Sequence, residues 1–166
     1  HVAATLMFGH KLLLPVPDID RTDFLLVFGA NPMVSNGSMM TAPGIRKRLE
    51  ALRRRGGRLV VIDPRRTETA RIADRHLFIR PGGDALLLMA LLHVILGEGL
   101  EAPGRLAGIC DSLETVRKLT EDFQPERVAM STGIASDRIR GIARDFAAAP
   151  SAVCYGRMGV STQAFG

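Results

Sequence analysis

Two stretches of the chain are apolar without interruption: Phe24-Leu25-Leu26-Val27-Phe28, which stops at Gly29, and Leu59-Val60-Val61-Ile62, which stops at Asp63-Pro64. Continuous rather than alternating hydrophobicity over strand length marks strands covered on both faces, as in parallel sheets. Between them Ile45, Leu49 and Leu52 recur at spacings of four and three, which predicts a helix over 44–55. Arg53, Arg54 and Arg55 fall in its last turn, where cations suit the helix dipole, and Gly56-Gly57 ends it. Strand 24–28, the crossover helix and strand 58–62 make a βαβ unit, expected to be right-handed.

The pattern continues with a short helix over 67–73, a strand over 76–80 and a long helix over 85–97 opened by Pro81-Gly82-Gly83-Asp84. Apolar residues ring almost all of that long helix, so it is predicted to lie between the sheet and another element. Residues 98–135 read as short helices joined by Gly/Pro turns. A helix over 137–148 turns Ile139, Ile142, Ala143 and Phe146 inward, and a fourth strand spans 151–155 before Gly156. Residues 1–23 read as an irregular leading segment, because Pro15, Pro17 and Asp18-Ile19-Asp20 interrupt any continuous helix or central strand. The prediction is an α/β fold: one three-layer αβα domain over 24–166 with a mainly parallel, doubly wound sheet.

Composition narrows the picture. At 46% hydrophobic and 23% charged residues the 166-residue chain is not a disordered one. Cys110 and Cys154 are its only cysteines, too few for a disulfide scaffold, a four-cysteine zinc site or an iron–sulfur cluster. A reduced, cytoplasmic-type interior is favoured, though two cysteines leave the compartment open. The net charge of +5 suits nucleic acid, anionic lipid or a phosphate-bearing ligand. With 5% aromatic residues the stacking platforms of single-strand binders are lacking, so no nucleic-acid partner is expected. The run Ala85 to Leu96 is too short to cross the roughly 30 Å hydrocarbon core of a bilayer, so it is predicted to be a buried helix. The chain starts at His1 and stops at Phe165-Gly166 in loop-like sequence, and is expected to be a piece of a longer polypeptide.

In open parallel sheets, ligands collect at the carboxyl ends of the strands. Four such ends carry chemistry here. Gly29-Ala30-Asn31-Pro32-Met33-Val34-Ser35 combines close backbone approach at Gly29 with the polar groups of Asn31 and Ser35. Asp63 ends the second strand where dinucleotide folds hold a ribose, with Arg65 and Arg66 for phosphate and Thr67 as hydroxyl donor or helix cap. Gly82-Gly83-Asp84 places a carboxylate where it would accept the N1–H and N2–H₂ of guanine, a donor pair that adenine lacks. Asp84 equally suits the N-cap of the long helix, and Asp63 an ordinary strand-end turn. The fourth end is Gly156-Arg157-Met158-Gly159. The basic set Arg46, Lys47, Arg48, Arg53, Arg54 and Arg55 reads as a solvated helix face, His93 as a core or interface histidine, and Cys154 as an inert thiol in a buried strand. His1, His10 and His76 form no metal-spaced set. No G-x-G-x-x-G follows the first strand and no P-loop motif occurs, which removes the main support for nicotinamide or P-loop chemistry.

The strings together are more specific than any one alone. Leu26-Val27-Phe28-Gly29-Ala30-Asn31-Pro32, Val60 to Ala70 through Asp63-Pro64-Arg65-Arg66-Thr67-Glu68-Thr69, Ala73-Asp74, and Ile79-Arg80-Pro81-Gly82-Gly83-Asp84-Ala85-Leu86 resemble, in order and spacing, the molybdopterin oxidoreductases of the dimethyl sulfoxide reductase, formate dehydrogenase and nitrate reductase group. Tyr155-Gly156-Arg157-Met158-Gly159 matches a further cofactor loop of that family.

The resemblance implies a domain that grips one of two molybdopterin guanine dinucleotides around one molybdenum or tungsten. Carried across, Gly29, Ala30, Asn31 and Ser35 would meet the pyrophosphate and pterin side, and Asp63, Arg65 and Thr67 the ribose and phosphates. Gly82, Gly83 and Asp84 would form the guanine pocket, and Met158 a further contact. The family shows Gln sooner after Met-Gly; here Val160-Ser161-Thr162 intervene before Gln163, one residue more. In the family the metal ligand, and any iron–sulfur cluster, lies upstream of this segment, so the chain is not expected to catalyse alone. Expected partners are the pterin dinucleotide, further domains of the same chain and an electron-transfer protein. Leu12-Leu13-Leu14 and the Leu86–Leu96 face are expected to promote self-association. A formate-dehydrogenase-like parent is favoured. The alternative is a cofactor-free scaffold like the large iron–sulfur subunit of respiratory complex I.

Overall fold

The computed structural model describes residues 2–164. Helix α1 (Val2–Phe8) precedes β1 (Phe24–Phe28). Then come α2 (Ile45–Arg54), β2 (Arg58–Ile62), α3 (Glu68–Ile72) and β3 (Arg75–Leu77). Four helices, α4 (Asp84–Gly97), α5 (Leu113–Thr120), α6 (Pro125–Thr132) and α7 (Ser136–Ala148), lead to β4 (Ala152–Gly156), and α8 (Met158–Ser161) follows. The strands form one parallel sheet in the order β3-β2-β1-β4.

Strand alternation divides the core. Phe24, Leu26 and Phe28 of β1 join Val60 and Ile62 of β2 on one face, against Leu87, Ala90, Leu91 and Val94 of α4 and Ile139 and Ile142 of α7. Leu25, Val27, Leu59 and Val61 point to the other face and meet Ile45, Leu49 and Leu52 of α2. Each such fully buried side chain contributes about 1.5–3 kcal/mol by leaving water. The three-layer architecture and the continuous apolar runs of β1 and β2 thus have one cause, burial on both faces.

Ion pairs stitch the layers from outside. The carboxylate of Asp145 on α7 pairs with Arg58 at 3.0 Å and Arg75 at 2.9 Å, at the starts of β2 and β3. Arg144 grips Glu98 with two bonds of 2.8 and 2.9 Å and holds that carboxyl below its usual range. The basic face of α2 is partly neutralised: Arg46 and Arg54 share Glu50, Arg48 pairs with Asp20 and Arg53 with Asp74.

Several details differ from the sequence reading. The leading segment is not wholly irregular: Val2–Phe8 is helical, because Ala, Leu and Met are strong helix formers and the prolines lie beyond it. The third strand runs Arg75–Leu77 rather than 76–80, since pairing ends where Leu77 meets Ile62, and the Arg80 N–H turns instead to the carbonyl of Thr132. Cys154 is exposed, not buried, because among the described residues β4 is an edge strand with no neighbour beyond it. Protein on its inner side nevertheless pushes the thiol up to about 11. Leu92 breaks the cover of α4 at 40% exposure, and Leu12, Leu13 and Leu14 are also exposed. Among the described residues no helix is long and apolar enough to cross a membrane.

Candidate functional site

The chain runs β1, β2, β3 toward one edge of the sheet and then returns to lay β4 on the other side of β1. That reversal leaves a crevice at the carboxyl ends of β1 and β4, where open α/β sheets bind ligands. A cavity of about 380 Å³ opens there, lined by Gly29, Asp63, Pro64, Arg65, Pro81, Gly82, Asp84, Gly159, Thr162 and Gln163. It falls in the lower part of the roughly 300–1,000 Å³ range of small-molecule sites.

Asp63 and Asp84 supply its carboxylates. Asp63 is 8% exposed; its Oδ1 accepts the Arg65 N–H at 2.8 Å, and Oδ2 accepts nothing among the described residues. Its carbonyl is bonded to His76 Nε2 at 3.0 Å, which braces the end of β2 against β3. The Arg65 guanidinium is exposed and makes no ion pair among the described residues, so it is left to face the crevice. Asp84 is 3% exposed in the first turn of α4. Gly83, not Asp84, occupies the N-cap position, and no side chain caps that helix. The N-cap reading of Asp84 is therefore excluded: its Oδ2 instead accepts Gln163 Nε2 at 2.6 Å. A carboxylate there is still favoured by the positive end of the helix dipole.

The remaining residues singled out from sequence sit around this floor in different ways. Gly29 has φ +50°, and its backbone meets that of Gly159, whose N–H donates to the Gly29 carbonyl at 3.0 Å. Asn31 ties the β1 loop to α3: its Nδ2 donates to Glu68 at 2.7 Å, and its Oδ1 accepts from the Thr69 hydroxyl at 2.8 Å and the Thr69 N–H at 3.2 Å. That bond from Asn31 is the main reason the Glu68 carboxyl lies below its usual range. Ser35 is exposed and donates to the Asn31 carbonyl at 3.3 Å. Thr67 is buried and caps α3, accepting the Ala70 N–H at 3.1 Å. Ala30 and Gly83 are buried beside the cavity without lining it, while Met158 is exposed. Thr67→Ala is expected to lower stability by about 1 kcal/mol, the usual value of an N-cap hydroxyl, measured as a shift in the midpoint of urea unfolding.

The family model for molybdopterin oxidoreductases matches residues 3–164. The chain belongs to the molybdopterin oxidoreductase family. It is 38% identical over 146 residues to formate dehydrogenase H of Escherichia coli, covering 88% of this chain and 20% of that protein. Nitrate reductase of Klebsiella oxytoca is 32% identical over 151 residues, 90% of this chain and 16% of the relative. Acetylene hydratase from Pelobacter acetylenicus superposes with a TM-score of 0.76 and 28% identity, covering 89% of this chain and 20% of its own. The chain thus spans about one-fifth of the length of such relatives.

Within the family frame, two features escaped the sequence reading. Asp74, quoted only as part of a string, holds β2 to α2: Oδ2 accepts the Leu59 N–H at 2.8 Å and Oδ1 accepts Arg53 Nε at 2.7 Å. Gln163, read from sequence only as a departure in the family's Met-Gly…Gln loop, lies just beyond α8 with its amide on Asp84, a contact the sequence reading missed. Among the described residues no three of His, Cys, Asp or Glu come close enough together to hold a metal ion.

Proposed function

We propose that this chain is the α/β domain that holds the guanosine end of one molybdopterin guanine dinucleotide in a molybdenum or tungsten oxidoreductase of the formate dehydrogenase type. The observation that carries this reading is Asp84, a carboxylate 3% exposed on the wall of the switch-point cavity. A carboxylate accepts only, and guanine offers it two parallel donors, N1–H and N2–H₂. Asp63 Oδ2 is suited to a ribose hydroxyl and the unpaired Arg65 guanidinium to phosphate, with Thr67 holding the turn behind them. Because the Asn31 side chain is spent on Glu68 and Thr69, the loop after β1 offers the pyrophosphate and pterin side its backbone at Gly29–Asn31, with the exposed Ser35 and Met158 as further candidate contacts.

The bound pterin and its metal supply the redox chemistry. This chain orients that group and contributes no metal ligand; the ligand, and any iron–sulfur cluster, belong to other parts of the protein. The formate-type assignment follows the similarity to formate dehydrogenase H and to the F420-dependent formate dehydrogenases of Methanococcus maripaludis.

Calorimetric titration of the chain with GDP and with ADP tests the reading. GDP is expected to bind at least about tenfold more tightly, equivalent to about 1.4 kcal/mol. Equal affinity would reduce the site to a generic phosphate pocket. For the full-length protein, metal analysis separates the two classes of function, since a cofactor-free scaffold would carry neither molybdenum nor tungsten.

A further inference from the structure

The amide of Gln163 sits where the proposed guanine edge would have to sit. Its Nε2 donates to Asp84 Oδ2 at 2.6 Å and also to the carbonyl of Gly159. A primary amide nitrogen is an sp² centre carrying two hydrogens, the same donor group as the exocyclic N2 of guanine. Gln163 thus satisfies a buried carboxylate that would otherwise lack a donor at that oxygen, with its partner 79 residues away in sequence. The segment that carries it is held in a tight turn. Gly159 is clasped backbone to backbone with Gly29, and the Thr162 N–H and hydroxyl both return to the Met158 carbonyl, at 3.0 and 2.6 Å. Gln163 is aimed back over the cavity by that one turn.

We propose that Gln163 is an internal latch on the guanosine pocket, a side-chain mimic of guanine that must leave Asp84 before a nucleotide base can pair with both carboxylate oxygens. The latch rests on the guanosine reading and adds to it a closed and an open state. In the closed state Oδ2 is occupied by the Gln163 amide. The observed affinity for guanosine ligands is then the intrinsic affinity reduced by the fraction of molecules with the latch open. Adenine offers no paired donors for Asp84, so it gains little from release, and the latch therefore acts on guanine ligands selectively.

The test is titration of wild type, Gln163→Ala and Asp84→Ala with GDP and ADP. It is paired with NMR observation of the Gln163 side-chain amide protons in wild type, which needs no variant to fold. Gln163→Ala is expected to bind GDP about tenfold or more tightly than wild type, a change of about 1.4 kcal/mol, with ADP affinity unchanged. In wild type, saturation with GDP but not ADP is expected to move the Gln163 amide protons to the shifts of a solvated amide. If wild type prefers GDP and Asp84→Ala loses that preference, but Gln163→Ala binds GDP equally or less well, the latch is overturned and the guanosine pocket stands. If neither wild type nor Gln163→Ala prefers GDP, the guanosine reading itself fails and takes the latch with it.

Discussion

Gly29→Ala is expected to destabilise the fold by about 2–5 kcal/mol, the sum of two separate strains. The first is conformational: Gly29 has φ +50°, in the left-handed region that a Cβ disfavours. The second is steric. An added Cβ would lie 2.7 Å from the Gly159 Cα, 2.8 Å from its carbonyl carbon and 2.9 Å from the Val160 nitrogen. All three are backbone atoms, so no side chain can swing aside; the loops after β1 and β4 must separate. For a chain of this size the melting temperature should fall by roughly 5–15 °C. Gly82→Ala provides the internal control, because Gly82 has φ +89° but nothing within 4 Å of its Cβ position. It carries only the conformational penalty, about 1–2 kcal/mol. Thermal unfolding followed by circular dichroism reads both, and equal losses would mean that the Gly29–Gly159 clasp does not form.

Asp84→Ala is expected to abolish the preference for GDP over ADP while leaving ADP affinity within about twofold. Hydrogen bonds to a charged acceptor contribute about 1.5–3 kcal/mol each, and the substitution removes both at once. Asp84→Asn is the more discriminating variant. Its side chain presents one acceptor and one donor, which conflicts with the two donors of guanine but complements N6–H₂ and N1 of adenine. The preference should therefore shift from GDP toward ADP, without the void an alanine leaves. A variant that retained full GDP preference with either substitution would exclude Asp84 as the base-reading group.

The parts of this fold that were legible from sequence are those set by local burial. Phe24–Phe28 and Leu59–Ile62 read as central parallel strands because both faces of each are covered, and a continuous apolar run is the direct imprint of that cover. The edges were less legible. Arg75–Leu77 owes its limits to its single partner β2, and Cys154 owes its exposure to the lack, among the described residues, of any partner beyond β4. Neither is written in local composition. At the site, the four strand ends were legible as loops of glycine, acid and base, whereas the allocation of their hydrogen bonds was not. Asn31 is committed to Glu68 and Thr69 some 37 and 38 residues away, and Asp84 to Gln163 at 79. Such long-range pairings follow from topology, and neither local composition nor the family resemblance specified them.

The strand order also fixes the sequence of assembly. β1, β2 and β3 are neighbours that precede α4, so residues up to 84 already carry Gly29, Asp63 and Asp84. β4 must wait for the helices α4–α7 and then close a loop in which Phe24 pairs with Ala152. Parallel pairing across such a separation is intrinsically slow, because chain entropy is lost before the contact is made. As the polypeptide leaves the ribosome, Asp63 and Asp84 therefore emerge well before the Gly159–Gln163 segment. On the proposed reading, a dinucleotide present in that interval would meet the floor with no latch to displace.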